Sequence, residues 1–192
     1  MTEYVVPMGT PEFFHVATPV TGAGYTWAGA YPYIDTADLG ASYGEINTAT
    51  TGDAGGQWVG SVLPAYVAPA GIIGARVDLQ MNILALDSTF YGPLWRLACD
   101  DVGTPWLSGG GHYPSSVVGW NTIADDVEPF DGQSGVDIPA MLAALASGNM
   151  RLYAHQPQDG ATWQLSYLRL TLISDDAPNL TGQLLDDRVR FT

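Results

Sequence analysis

The chain has 192 residues, of which 46% are hydrophobic, so it is long enough to bury a core and too apolar for a disordered segment. Acidic residues number 20 against 6 basic ones, all arginine, and the net charge of −14 excludes phosphate backbones and anionic lipid as expected ligands. The single cysteine, Cys99, excludes a disulfide within the chain and a cysteine-based zinc site.

The N-terminal segment, residues 1–30, is rich in Pro, Thr and Gly with scattered aromatics, and we predict an arm or extension there. Its first residues lack the basic and apolar regions of a signal peptide. No apolar run approaches the roughly 20 residues that a membrane-spanning helix needs. We therefore expect a protein made in the cytoplasm that does not insert into a membrane.

Strands follow in the middle of the chain. Residues 43–46 and 58–63 are short candidates, and residues 75–83 give the clearest pattern, because Ala75, Val77, Leu79, Met81 and Ile83 alternate with polar residues. A period of two over nine residues predicts a strand with one dry face and one wet face. Such a strand is typical of an antiparallel sheet with one solvated side.

Further strands are predicted over residues 94–99, 117–123, 150–155 and 163–173, the last with Leu168, Leu170 and Leu172 on one face. Asp159-Gly160 predicts a hairpin turn between the last two of them, and the glycines of residues 108–111 predict a loop.

One helix is predicted over residues 138–147, where Asp137 can cap the N-terminus and Pro139 fits the first turn. Gly148 or Asn149 can supply the left-handed C-terminal residue. Many short strands and one short helix predict an all-β fold, an antiparallel β-sandwich of jelly-roll-like, carbohydrate-binding-module-like shape over residues 31–174.

The C-terminal segment, residues 175–192, begins with a strand-breaking stretch and is predicted to be an arm or an edge strand. As an arm it would pair with a neighbouring subunit through its apolar residues. Otherwise it would be an extra edge strand or a frayed tail. The residues predicted for subunit contact are Leu184, Leu185, Val189 and Phe191.

No pattern in the sequence indicates a catalytic centre, because nucleophile-elbow, phosphate-binding and dinucleotide-binding motifs are missing, and we predict a protein that is not an enzyme and uses no cofactor. His15, His112 and His155 have no metal-ligand spacing. Calcium binds several oxygen ligands, so an acidic stretch near the middle of the chain is a candidate calcium site. The simpler interpretation is that these carboxylates lie on a solvated edge. The residues of the candidate site are Asp126, Glu128 and Asp131.

Aromatic residues are numerous, with 6 Trp and 10 Tyr. Because exposed rings can stack on sugars, we predict a hypothetical glycan site. It consists of Trp27, Tyr31, Trp106, His112 and Tyr113. The alternative is that the loop rings pack over the ends of the sandwich while the strand tryptophans fill the core; these are Trp58, Trp95, Trp120 and Trp163.

The order of these features resembles a known module. It runs from residues 75–81 through Trp120-Asn121-Thr122-Ile123 and an Ala-rich helix to residues 150–154 and 163–170, with residues 34–35 and 42–46 upstream. This pattern resembles the jelly-roll-like β-sandwich modules in minor tail and other virion proteins of phages that infect actinobacteria.

The resemblance implies a virion structural protein, expected as a minor tail component at the tail tip or in contact with the host surface. Its expected partners are other virion proteins, with homo-oligomers in a symmetric assembly, and a host cell-surface glycan. A glycan-binding module and a capsid decoration protein are the alternatives, and a cell-wall hydrolase is a third hypothesis that a cleft with two facing acids would support.

Overall fold

The structure is a computed structural model, and it describes residues 1–15, 18–28, 42–47, 57–85, 94–99, 108–110, 118–127, 135–155 and 162–175. Most of these residues lie in β-strands. In chain order they are β1 Thr2–Val5, β2 Pro11–His15, β3 Thr18–Val20, β4 Tyr25–Ala28, β5 Tyr43–Asn47, β6 Gln57–Val62, β7 Ile72–Ala85, β8 Leu94–Cys99, β9 Ser108–Gly110, β10 Gly119–Asp126, β11 Met150–His155 and β12 Thr162–Ser174, with one helix, α1 Ile138–Ser147, between β10 and β11.

The strands form two antiparallel sheets. Sheet A has the order β10-β7-β12-β5-β4, and β1 pairs with the far end of β12. Sheet B has the order β3-β2-β6-β11-β8-β9. The chain crosses repeatedly from one sheet to the other, and the two inner faces share one apolar core. The predicted all-β, antiparallel β-sandwich with one short helix is confirmed.

The alternating apolar residues from which β7 is predicted are the residues that this strand contributes to the core. Ala75, Val77, Leu79, Met81 and Ile83 are all buried and point towards sheet B. On β12 the core residues are Trp163 and Leu165, followed by Leu168, Leu170 and Leu172. The change from odd to even positions is possible because a β-bulge lies between Leu165 and Tyr167 and absorbs Ser166.

Helix α1 has the predicted bounds and caps. Its N-cap Asp137 accepts a hydrogen bond from the Ala140 backbone N–H at 3.2 Å, and Gly148 ends the helix at φ 74°, where glycine carries no Cβ penalty. Met141 and Leu145 are buried against the core. The Leu145 carbonyl also accepts a hydrogen bond from the Tyr66 backbone N–H, which ties the helix to the segment after β6.

Two predictions about connections are wrong. The predicted turn at Asp159-Gly160 lies outside the described residues, but β11 and β12, the strands that it would join as a hairpin, have other partners: β11 pairs with β6 and β8 in sheet B, and β12 pairs with β7 and β5 in sheet A. The loop predicted over residues 108–111 contains a strand, since Ser108–Gly110 pairs with β8. Both errors arise because turn residues report a local reversal and not the sheet that the next strand joins.

The sequence predicts an N-terminal arm and a C-terminal arm or edge strand. Residues assigned to an N-terminal arm supply four strands of the sandwich, β1 and β4 in sheet A and β2 and β3 in sheet B. The C-terminal subunit-contact residues lie outside the described residues; they are Leu184, Leu185, Val189 and Phe191.

We predict that Gly60→Ala destabilises the protein by at least about 2 kcal/mol, because overpacking at a paired strand forces the backbone apart. A Cβ at Gly60 would overlap the Leu152 carbonyl oxygen and lie 2.7 Å from the Tyr153 Cα, where β6 pairs with β11. Urea denaturation measures the change. The control is Gly74→Ala on β7, where a Cβ meets no atom within 4 Å; equal stability of the two variants would contradict the assigned register.

Candidate functional site

The outer face of sheet A, which points away from sheet B, carries both polar and exposed apolar side chains. The pairing register places Trp120 on β10, Asn82 on β7, Gln164 on β12, Glu45 on β5 and Thr26 on β4 side by side across five strands. Because side chains alternate between faces, these five share the outer face. They form one row that runs perpendicular to the strands.

Three residues of this row are linked by hydrogen bonds and are called the polar ladder here: Asn82, Gln164 and Glu45. Asn82 Nδ2 donates to Gln164 Oε1 at 2.9 Å, and Gln164 Nε2 donates to Glu45 Oε2 at 2.7 Å. The second bond is charge-assisted and therefore strong. The ladder fixes the side chains of three strands that are far apart in sequence.

An apolar rim lies beside the ladder and consists of Leu84, Val118 and Trp120. Leu84 is 45% exposed, Val118 56% and Trp120 37%. Leu84 lies two residues from Asn82 along β7 and therefore shares the outer face with Trp120, while Val118 directly precedes Gly119, the first residue of β10. Exposed apolar side chains bordered by polar groups are one feature of binding surfaces.

Gln80 lies one row from the ladder, between Thr122 on β10 and Tyr167 on β12. Its side chain is only 7% exposed, and within the described part of the chain its Oε1 is a buried acceptor without a hydrogen-bond partner. A buried acceptor left unpaired costs about 1–3 kcal/mol. Such an atom in a folded protein calls for an explanation in terms of strain, water or a ligand.

A charge cluster, composed of Glu3, Arg76, Asp78 and Arg169, occupies the other end of the outer face. Arg76 bonds to Glu3 at 2.9 Å and to Asp78 at 2.9 Å, while Arg169 bonds to Asp78 at 2.9 Å. Hydrogen bonds to Glu3 and then to Asp78 raise the pKa of Arg76, which stays cationic. The cluster is electrically balanced and ties β1, β7 and β12 together.

Trp27 is the one residue of the hypothetical glycan site that the structure describes. Its ring lies 4.1 Å from the ring of Phe13 between centroids, on the inner side of the edge strand β4. It also covers Gly44, where a Cβ would come 2.6 Å from Trp27 Cζ3. Trp27 therefore closes one edge of the core and does not share a face with Trp120.

Of the other predicted site residues, only Asp126 belongs to the described part of the chain. Asp126 is exposed on the outer face of β10, whereas Asp125 points inward and accepts a hydrogen bond from Trp95 Nε1 at 2.6 Å. No group of three metal-ligating side chains occurs among the described residues. The candidates that lie outside the described residues are Tyr31, Trp106, His112, Tyr113, Glu128 and Asp131.

Sequence reasoning missed the residues that the structure brings together. Trp120 was expected in the core, and this is wrong, because its strand is at the edge of sheet A and its ring faces outward. Trp95 and Trp163 do fill the core. The alternation of β7 did predict that Gln80 and Asn82 face away from the core, but only the register reveals Gln164 and Glu45 beside them.

Comparison with known proteins gives distant structural likenesses only. No protein-family model matches the chain, and no curated protein matches it. Among solved structures, it is similar to the CBM22-1 and GH10 modules of Clostridium thermocellum endo-1,4-β-D-xylanase 10B complexed with xylohexaose, with 9% identity, a TM-score of 0.49 and coverage of 92% of this chain and 30% of that one. The chain thus spans less than a third of that structure's length.

Two further structures are similar to a comparable degree. The CBM22-1 xylan-binding domain of Paenibacillus barcinonensis Xyn10C gives 12% identity and a TM-score of 0.44, covering 81% of this chain and 84% of that one. The Stig cyclase Fisc from Fischerella gives 11% identity and a TM-score of 0.45, covering 90% of each chain. Likenesses of this kind assign neither a ligand nor a reaction to the chain.

In the described residues, no helix is long and apolar enough to cross a membrane.

We predict that Gln164→Leu lowers the free energy of unfolding by about 1–3 kcal/mol, because it leaves the Asn82 amide without its acceptor and Glu45 without its donor. Thermal or urea unfolding measures the loss. The control is Thr26→Val at the exposed end of the same row, expected within about 0.5 kcal/mol of the parent. If both variants match the parent, the ladder does not form in solution.

Proposed function

We propose that this chain is a glycan-binding β-sandwich that holds a neutral oligosaccharide on the outer face of sheet A. The observation that supports it is the polar ladder of planar amides and a carboxylate directly beside the exposed indole of Trp120. Sugars present hydroxyl edges and apolar C–H faces, so a ligand of this class needs both kinds of group close together. Binding sites combine apolar lining with a few placed polar groups in the same way.

The row suits a ligand that lies across the strands. From Trp120 to Glu45 it covers three inter-strand steps, or about 14 Å in all. An extended oligosaccharide of a few units can place one ring on the indole and its hydroxyls along the row. The ladder holds Glu45 in one orientation before binding, which lowers the entropy cost of recognition.

Charge favours a neutral ligand over an acidic one. Glu45 lies in the row itself, and the whole chain carries a net charge of −14, which repels anionic polysaccharides. The two arginines on the same face are bound to Asp78 and Glu3 and carry no surplus positive charge to the site. Uronic-acid polymers are therefore expected to bind worse than neutral chains of the same length.

We propose that the site binds the sugar without changing it chemically. Glycoside hydrolysis uses two carboxyl groups, one acting as acid and one as base or nucleophile. On this face, Glu45 is engaged by Gln164 and Asp78 is held by Arg76 and Arg169. Glu45 and Asp78 are therefore each held by structural partners.

We predict that Trp120→Ala weakens binding to the best neutral hexasaccharide by roughly 30-fold, since loss of an aromatic anchor costs about 2 kcal/mol. Isothermal titration calorimetry with cellohexaose, xylohexaose and mannohexaose measures the affinity. The control is Ile73→Ala, an apolar residue that is 52% exposed on β7 but lies outside the rim. Failure of the parent protein to bind any neutral chain, or equal affinities of the two variants, would contradict the proposal.

The virion location implied by the resemblance stays a prediction. Under it, the outer face of sheet A would contact the glycan of a host envelope during adsorption. Mass spectrometry of purified particles tests the location directly: peptides of this chain should occur in stoichiometric amounts with tail or capsid proteins. Their absence from particles would reject the virion location and leave the glycan site to be judged on binding alone.

A further inference from the structure

Gln80 is positioned at the centre of the outer face, with Thr122 on one side and Tyr167 on the other. It lies two residues from Asn82 along β7, a separation of about 7 Å, so it is directly adjacent to the row of the polar ladder. Its Oε1 is buried and has no hydrogen-bond partner among the described residues, although both neighbouring ladder amides are paired.

An unpaired buried acceptor lowers the stability of the free protein, because the atom has lost its water without gaining a donor. An apolar side chain of similar length would remove this cost. A glutamine here is explained if a donor arrives from outside the chain. A sugar hydroxyl is such a donor, and the row beside Gln80 is where the proposed ligand lies.

We infer that Gln80 is a specificity-determining residue of the glycan site, whose Oε1 accepts a hydrogen bond from one hydroxyl of the bound sugar. This inference rests on the proposed function. The atom is covered in the unbound protein and becomes accessible when a neighbouring side chain turns aside; Thr122, opposite Gln80 on β10, is exposed. A sugar that lacks a free hydroxyl at this position would leave the acceptor unpaired and bind more weakly.

Thr171 provides a matched control. It is fully buried on the outer side of β12, and its Oγ1 is also without a hydrogen-bond partner in the described part of the chain. The register places it opposite Arg76, two rows beyond Gln80 and beside the charge cluster, away from the apolar rim. Removing its hydroxyl therefore tests the same kind of buried polar atom outside the proposed site.

The experiment compares Gln80→Met and Thr171→Val with the parent in two measurements: the thermal unfolding midpoint, and the affinity for whichever neutral hexasaccharide binds the parent best. Both variants should unfold at a higher temperature. Only Gln80→Met should bind more weakly, by between roughly 5-fold and 150-fold, which corresponds to the loss of one buried hydrogen bond.

Each other result contradicts the inference in a recognisable way. Unchanged affinity of Gln80→Met, with Trp120→Ala still impaired, overturns the role of Gln80 and leaves the glycan site intact. A lower unfolding midpoint or failure of Gln80→Met to fold shows that Oε1 already has a partner in the free protein. A parent protein that binds no neutral chain overturns the proposed function together with the inference.

Discussion

The antiparallel pairing of β7 with β12 is the constraint on which the rest of this structure depends. These are the two longest strands of sheet A, and their register runs from Ile72 opposite Ser174 to Ala85 opposite Thr162. One side of the pair carries Val77, Leu79 and Met81 of β7 together with Trp163 and the leucines of β12, and these residues meet sheet B. The other side must then carry the polar residues, because period-two alternation leaves no other place for them. Core and candidate site are therefore two faces of one pair of strands.

The bulge at Ser166 adjusts the two faces to each other. Without it, Trp163 and Leu165 could not share the core with Leu168, Leu170 and Leu172, because a one-residue slip moves every following side chain to the opposite face. The bulge also places Gln164 and Tyr167 on the same outer side, opposite Asn82 and Gln80. A local irregularity thus sets which polar groups become neighbours.

The sequence predicts those parts of the fold that depend on local pattern. The bounds of α1, β8 and β11 agree with prediction, because a capping Asp137, a C-terminal Gly148 and alternating side chains act within a few residues. It does not predict partners: β11 and β12 are neighbours in the chain but belong to different sheets. The residues of the candidate site come from β4, β5, β7, β10 and β12, so long-range register decides their proximity. Trp120 shows the limit most clearly, since an apolar ring at an edge strand has the same local pattern as one in the core.

The most direct test of a glycan site on sheet A is an NMR titration that follows side-chain signals. With an oligosaccharide that binds, we predict that the side-chain amide signals of Gln80, Asn82 and Gln164 and the indole N–H signal of Trp120 shift together in a saturable manner. The indole N–H signal of the core residue Trp95 should stay in place. Shifts confined to the opposite edge around Trp27 and Tyr25, with the ladder amides unchanged, would contradict this prediction.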